Sequence, residues 1–280
     1  MPKKIAVLYH ANCPDGFGGA YAAWKKFGDK AEYVPVRYNI PPPPVKGKEI
    51  YMVDFCYNEK EFLEKLKKNN KSLTVIDHHK SAKENFHISN GGILDMNHSG
   101  AVLSWTYFNP KKPVPKFLKH IEDMDLWRFK IKGTKEVAAS IDLIPKGFKE
   151  WDRFVKNFEE PALRKKFLEQ GRLILKYNQI LMRQIIDKAA VLVKFEGHDV
   201  YALNTVVFDS ELGSMLYEMK PPMAILWYQG RDGIKVGLRS NGNVDVSKIA
   251  NKFGGGGHRG AAGLRLKNGA KLPWKPIKMR

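Results

Sequence analysis

Asp77-His78-His79 sets an acid and two imidazoles in a row, straight after the apolar, β-branched run Ser72-Leu73-Thr74-Val75-Ile76. Such a run reads as a short buried strand. The carboxyl end of a strand is where open α/β sheets place their chemistry. Three further segments repeat the theme. Ile5 to Tyr9 runs into His10, with Cys13 and Asp15-Gly16 just beyond; Ile50 to Val53 runs into Asp54; Ile121-Glu122-Asp123-Met124-Asp125 follows later. Carboxylates and imidazoles recurring at strand ends point to a shared polynuclear metal site. Two divalent ions held that way activate water and clamp a phosphate for in-line attack.

The elements that must position these groups alternate between strand and helix. Gly18 to Trp24 reads as a helix packing small residues on a sheet, Glu32 to Val36 as a strand, and Ile40 to Pro44 as a proline-rich loop. Glu59 to Lys68 is an amphipathic helix with Phe62, Leu63 and Leu66 on one side. Ser99 caps a helix that begins at Ala101. This alternation predicts an α/β fold with an N-terminal doubly wound, mostly parallel sheet. From Phe148 to Lys188 apolar residues recur at helical spacing, which predicts a helical connector. Strands return from Val191, and Val244 to Phe253 is a helix broken by Gly254 to Gly257, so the C-terminal part is a smaller α/β lobe with a mixed sheet.

At 280 residues and 43% apolar content the chain can build one large domain or two ordinary ones. Mean hydropathy is -0.41, and no apolar stretch is long enough to span a bilayer, so no membrane partner is expected. Met1-Pro2-Lys3-Lys4 leads into a strand-like run without the longer apolar region of a signal peptide. Two cysteines make no disulfide framework, so a reducing, cytoplasmic setting is expected. The net charge of +19 favours polyanionic partners, nucleic acid first among them. Part of that excess, as at Lys65, Lys67, Lys68 and Lys71, reads instead as a solvated helix face. The run Arg265, Lys267, Lys271, Lys275, Lys278 and Arg280 is either a phosphate-tracking edge or a soluble tail.

Taken together, the His10/Asp15-Gly16 loop, Asp54, Asp77-His78-His79, the Asp123 region, Gly237 to Ser240 and Gly254 to His258 resemble the DHH phosphoesterase superfamily. The likeness covers nearly the whole chain and falls in the branch with a DHH-associated C-terminal domain. That superfamily includes RecJ-like exonucleases, nanoRNases that also dephosphorylate phosphoadenosine phosphate, and cyclic-dinucleotide phosphodiesterases. The resemblance implies a DHH catalytic domain over 1–147, the connector over 148–188, and a substrate-binding domain over 189–280, arranged as two lobes around a cleft. It implies two divalent metal ions, manganese by preference, and an oligonucleotide or nucleotide substrate. The family's first motif offers a His and two Asp two positions apart; here Cys13 stands where the first Asp is expected. As a ligand it would be a thiolate, shifting preference from manganese towards zinc or iron; otherwise it is a buried bystander. Cys56 reads as packing.

On this reading one ion takes His10, Asp54 and the uncertain Cys13, and the other takes Asp15, Asp54, His78 and Asp123, with Asp54 bridging. The apolar lead-in favours Asp123 over Asp125. Asp77 is expected to orient His78, and His79 to polarise the phosphate or protonate the leaving oxygen. Neighbouring strand residues point opposite ways, so both histidines reach metals only if the strand has ended. Trp127 reads as core rather than as a base-stacking platform, and His98, His87, His120 and His198 as structural. Arg239, with Gly255, Gly256, Gly257, His258 and Arg259, is implied to grip the substrate's phosphate and base. The expected activity is metal-dependent hydrolysis of short oligonucleotides or phosphorylated nucleotides. The alternatives are a RecJ-like single-strand exonuclease, a nucleic-acid-binding protein decayed at Cys13, and an inorganic pyrophosphatase, which the glycine-rich segment disfavours. Oligomeric state stays open, a homodimer included.

Overall fold

A computed structural model describes residues 3–38 and 40–277. Met1, Pro2, Lys278 and Arg280, read above as parts of the N-terminal lead-in and the basic C-terminal run, lie outside the described residues. The chain divides into two compact units between Lys176 and Tyr177.

The first unit runs β1 (Ile5–His10), α1 (Pro14–Phe27), β2 (Ala31–Val36), β3 (Glu49–Val53), α2 (Lys60–Asn69), β4 (Ser72–Asp77), β5 (Gly92–Leu94), α3 (Gly100–Phe108), α4 (Lys116–Asp125), α5 (Thr134–Ser140) and α6 (Phe148–Glu159). Its five strands are all parallel, in the order β2-β1-β3-β4-β5. Both faces are covered, which is why the strands read as continuous apolar runs rather than as alternations. Ala6, Leu8, Ile50, Met52, Leu73 and Val75 face one core with Leu63 and Leu66 of α2. Val7, Val53 and Ile76 face the other, with Tyr21 of α1, Trp105 of α3 and Trp151 of α6. The chain goes from β1 out to β2, then returns to β3 on β1's other side. The carboxyl ends of β1 and β3 therefore flank the sheet's topological switch point, where open α/β sheets bind ligands.

The long helix α7 (Pro161–Ala189) precedes β6 (Ala190–Phe195), β7 (His198–Asn204), α8 (Asp209–Met219), β8 (Met223–Gly230), β9 (Gly233–Ser240), α9 (Val246–Lys252), β10 (Gly256–Gly257), β11 (Ala261–Leu266) and β12 (Lys275–Pro276). The second unit's sheet has the order β10-β11-β9-β8-β7-β6-β12. It is mixed: β7 and β8 pair in parallel across the α8 crossover, while the other pairs are antiparallel. Leu212 and Leu216 of α8 bury against Leu203, Ala224 and Leu226. Val246, Ile249 and Ala250 of α9 pack on the opposite face, against Ile225, Val236 and Leu238.

Ile121–Asp125, grouped above with the strand ends, is the last turn of helix α4. Its apolar lead-in is the buried stripe of an amphipathic helix, with Phe117, Leu118 and Ile121 inward. No helix among the described residues is long and apolar enough to cross a membrane.

Candidate metal centre

Adjacent strands deliver the candidate ligand side chains to one end of the sheet. β1 ends at His10, β3 at Val53 and β4 at Asp77, so His10, Asp54, His78 and His79 emerge beside one another. β4 has ended before His78, which frees the two histidines from strand alternation, and their ring centroids lie 4.4 Å apart. Asp54 sits at φ +55°, the left-handed region that Asp tolerates better than most residues. Its backbone N–H still donates to Ile76 O at 2.9 Å. Its side chain lies against Gly100, the first residue of α3.

Asp15, in the first turn of α1, is held from both oxygens. Gly100 N–H donates to Oδ2 at 2.7 Å and Ala101 N–H to Oδ1 at 3.0 Å, so Asp15 caps α3 while standing in the centre. Gly100 must be glycine. A β-carbon there would overlap that of Asp54 and stand 2.7 Å from its Oδ1. Gly16 lies against His10 in the same way, its missing β-carbon falling 2.8 Å from that of His10. The Gly100 constraint was not legible in the sequence, because Gly100 and Asp54 belong to segments far apart in the chain.

The centre has the donors of a cation site and lacks the cation's substitutes. Asp54 is 1% exposed, and neither of its oxygens accepts a hydrogen bond. Oδ2 faces His10 Nδ1 at 3.5 Å and Oδ1 faces His78 Nε2 at 3.1 Å, and both ring nitrogens are also buried without a partner. His78 Nε2 is further approached by Asp15 Oδ2 at 3.6 Å and Asp125 Oδ2 at 3.5 Å. Ligand atoms of His10, Cys13 and Asp54 lie within 4.8 Å of one another, as do those of Asp15, His78 and Asp125. Buried polar atoms are almost always hydrogen-bonded, so these orphaned atoms fit divalent cations.

Electrostatics agree. Burial and the charges of Asp54 and Asp125 push the Asp15 carboxyl well up, against the pull of Ser99 and the Ala101 N–H. Asp125 rises to about 6 through burial and then Asp54, although His78, His79 and His10 pull it down. Asp54 is also pushed up by burial, but His10 and His78 outweigh this and hold it below the usual carboxylate range. Burial and three carboxylates raise the Cys13 thiol. The surplus of close negative groups is what a bound cation offsets.

Asp123 and Asp125 exchange places relative to expectation. Asp123 is buried but turned away: its oxygens accept from Lys130 N–H and Ile131 N–H, both at 2.9 Å, and from Thr134 Oγ1 at 2.7 Å. It pins the loop after α4 rather than joining the centre, and His120 extends the network by pairing with Thr134 Oγ1 at 2.8 Å. Residues two apart on a helix point to nearly opposite sides, so only one of the two acids faces the sheet edge. That one is Asp125, at the C-terminal end of α4, where an acid opposes the helix dipole.

Asp77 orients His79, not His78. Its Oδ1 accepts from the backbone N–H of His78 at 2.7 Å and of His79 at 3.2 Å, and lies 2.7 Å from His79 Nδ1. Burial lowers His79, but the Asp77 bond outweighs it and raises the ring's pKa. Trp127, read as core, is instead 46% exposed. Trp127 and Phe129 both hold left-handed backbone, at φ +52° and +48°, in the loop that Asp123 pins. His98 is exposed and bonds Glu122, which also accepts from Ser99 N–H. Cys56 is fully buried packing.

In the second unit, Arg239 lies on β9 and sends Nη2 to Asp209 and Ser210 at the start of α8, both at 3.1 Å. The glycine run enters a hairpin. Gly256–Gly257 forms edge strand β10 against β11, and Gly255 packs where a side chain would overlap Gly263. His258, Arg259 and Gly260 make the turn, with Arg259 Nε donating to Gly242 O at 2.8 Å. Arg239 pairs with Ala261, so it lies beside this turn.

A carboxylate–imidazole cluster that could hold metal ions stands at the switch point of a doubly wound sheet, and a second α/β unit follows it in the chain. Residues 204–274 match the family model described as the DHHA1 domain. The chain is 33% identical over 299 residues to uncharacterized protein R106 of Acanthamoeba polyphaga mimivirus, across 97% of this chain and 70% of that protein. It is 23% identical over 303 residues to oligoribonuclease NrnB of Bacillus subtilis (strain 168), across 92% of this chain and 72% of NrnB. Among solved structures, an exopolyphosphatase-related protein from Bacteroides fragilis shares the fold with a TM-score of 0.53 and 15% identity, across 96% of this chain and 88% of that one. The chain belongs to the DHH phosphoesterase superfamily and is a phosphoesterase hydrolase.

Proposed function

We propose that this chain hydrolyses short oligonucleotides or phosphorylated nucleotides at a centre for two divalent cations, manganese among them. The observation that carries the reading is Asp54: two buried oxygens, each facing a different set of ligating atoms, as a bridging carboxylate requires. The substrate class is supported by the likeness to an oligoribonuclease and by the +19 charge. Bound there, the cations would supply Lewis acidity and an activated water.

The chain's own groups do the rest. Asp54 ties the two sets together; Asp15, His78 and Asp125 complete one of them and His10 contributes to the other. His79, held by Asp77, polarises the phosphate or hands a proton to the departing oxygen. Arg239, Gly255, Gly256, Gly257, His258 and Arg259 form the proposed substrate-binding group of the second unit, with Arg239 matched to a phosphate by its forked donors.

The test is a panel of labelled oligoribonucleotides of graded length, with phosphoadenosine phosphate and long single strands alongside, in manganese. Fastest turnover on two- to five-mers is expected. Equal degradation of long strands would make the chain a processive single-strand exonuclease instead. Asp54→Ala should abolish turnover and metal binding by calorimetry; activity surviving in that variant would end the two-cation reading.

A further inference from the structure

The two halves of the centre differ in chemistry. The first set, Asp15, His78 and Asp125, offers only oxygen and nitrogen. The second, His10, Cys13 and Asp54, offers nitrogen, sulfur and oxygen. We propose that the centre is built for two unlike cations: a thiolate-ligated position at His10–Cys13–Asp54 for a borderline ion such as zinc or cobalt, and an oxygen-rich position at Asp15–Asp54–His78–Asp125 for a hard ion such as manganese.

This rests on the two-cation reading above and deepens it. Cys13 is not there by itself. The same small volume holds His10 Nδ1 and Asp54 Oδ2, both buried without a hydrogen-bond partner and 3.5 Å apart. Cys13 stands at the N-cap of α1 in extended conformation, just before Pro14 opens the helix. Proline at the first helical position fixes its own φ and holds Cys13, the residue before it, in extended backbone. One nitrogen, one sulfur and one carboxylate oxygen leave a tetrahedral ion a fourth position for water or substrate, the arrangement of catalytic zinc. Carboxylates and imidazole without sulfur suit manganese, while thiolate selects zinc, cobalt or iron.

Cys56 supplies the internal comparison. It is fully buried in apolar packing, makes a weak contact with Tyr57 O at 3.8 Å, and belongs to no candidate metal group among the described residues. Of the two thiols, one is spent on packing and the other faces ligands. Cys13 also lines a pocket of about 170 Å³ with Tyr9, Asn12 and Phe17. On binding, the Cys13 S–H bond breaks, a sulfur–metal bond forms, and the proton passes to solvent.

The metal-free full-length chain is titrated with cobalt and read by absorption. A near-ultraviolet thiolate-to-cobalt charge-transfer band should grow and saturate at about one equivalent per chain, matching a single Cys ligand. Cys13→Ser should lose the band and Cys56→Ser should keep it. From an equimolar zinc and manganese mixture, native mass spectrometry should find one of each on the wild type. Cys13→Asp should bind zinc about ten-fold or more weakly at that position and carry manganese in its place. Zinc should also slow alkylation of Cys13 by iodoacetamide. Cobalt bound with no band, or a band that survives Cys13→Ser, overturns the unequal centre and leaves two cations intact. A chain that takes up no cobalt, zinc or manganese overturns the two-cation reading as well.

Discussion

Asp123 and Asp125 are two residues apart and serve different ends. Asp125→Asn removes an oxygen that approaches His78 Nε2 at 3.5 Å, and turnover should fall by about a hundred-fold or more with melting temperature nearly unchanged. Asp123→Asn turns one of the two oxygens that accept from Lys130, Ile131 and Thr134 inside the protein into an amide donor. It should cost about 1–3 kcal/mol of stability and leave cation stoichiometry intact. Paired melting and titration curves check both, and the opposite pattern would return the ligand role to Asp123. Trp127, two residues past Asp125, presents an exposed ring on which a base would stack if the proposed substrate binds there. Trp127→Ala should raise KM for a dinucleotide about ten-fold with kcat little altered; an unchanged KM would leave Trp127 without that role.

At the scale of elements, helix α3 is docked onto the centre by backbone. Its first two N–H groups grip Asp15, and its first residue, Gly100, lies flat on Asp54. Gly100→Ala should therefore lower cation affinity while circular dichroism stays native; undiminished binding by calorimetry would show that Asp54 can give way. The α1–α6 contact carries a different device. Asp152 on α6 accepts from Tyr21 at 3.0 Å and Lys25 at 2.7 Å on α1, and pairs with Lys156 at 2.7 Å. Burial pushes its carboxyl up, but Lys156, Lys25 and Tyr21 outweigh this and hold it below 3.8. A folded pKa held below its unfolded value gives stability that is present above 3.8 and is lost as pH falls through the folded value. Asp152→Asn should thus be about 1–2 kcal/mol less stable near neutrality. The gap from wild type should close below pH 3.8 in urea melts, and a gap independent of pH would assign the loss to packing.

For the whole molecule, the +19 charge acts on encounter rather than on chemistry. KM for a short oligonucleotide held by two phosphate contacts should rise about seven-fold between roughly 50 and 200 mM salt, with kcat nearly constant. A flat KM would confine the excess lysines to solubility. The parallel sheet and its order of ligands were legible at this scale, since apolar runs ending in His10, Asp54 and Asp77 already name β1, β3 and β4. The hairpin at Gly256–Gly257 was not. A glycine run carries no side-chain period, so its pairing with β11 is decided by the partner strand.

Residue types and spacing by themselves determined the α/β class and placed His10, Asp54 and Asp77 at strand ends, because strand ends are marked by local pattern, and the likeness of those motifs to a known family pointed to the superfamily. Only tertiary structure decided which acid of the α4 pair faces the centre and which histidine Asp77 holds. It also decided that Gly100 must lack a β-carbon. Those choices depend on helix phase, on the residue at which β4 stops, and on ångström-scale gaps between segments far apart in the chain, and no one-dimensional pattern encodes them.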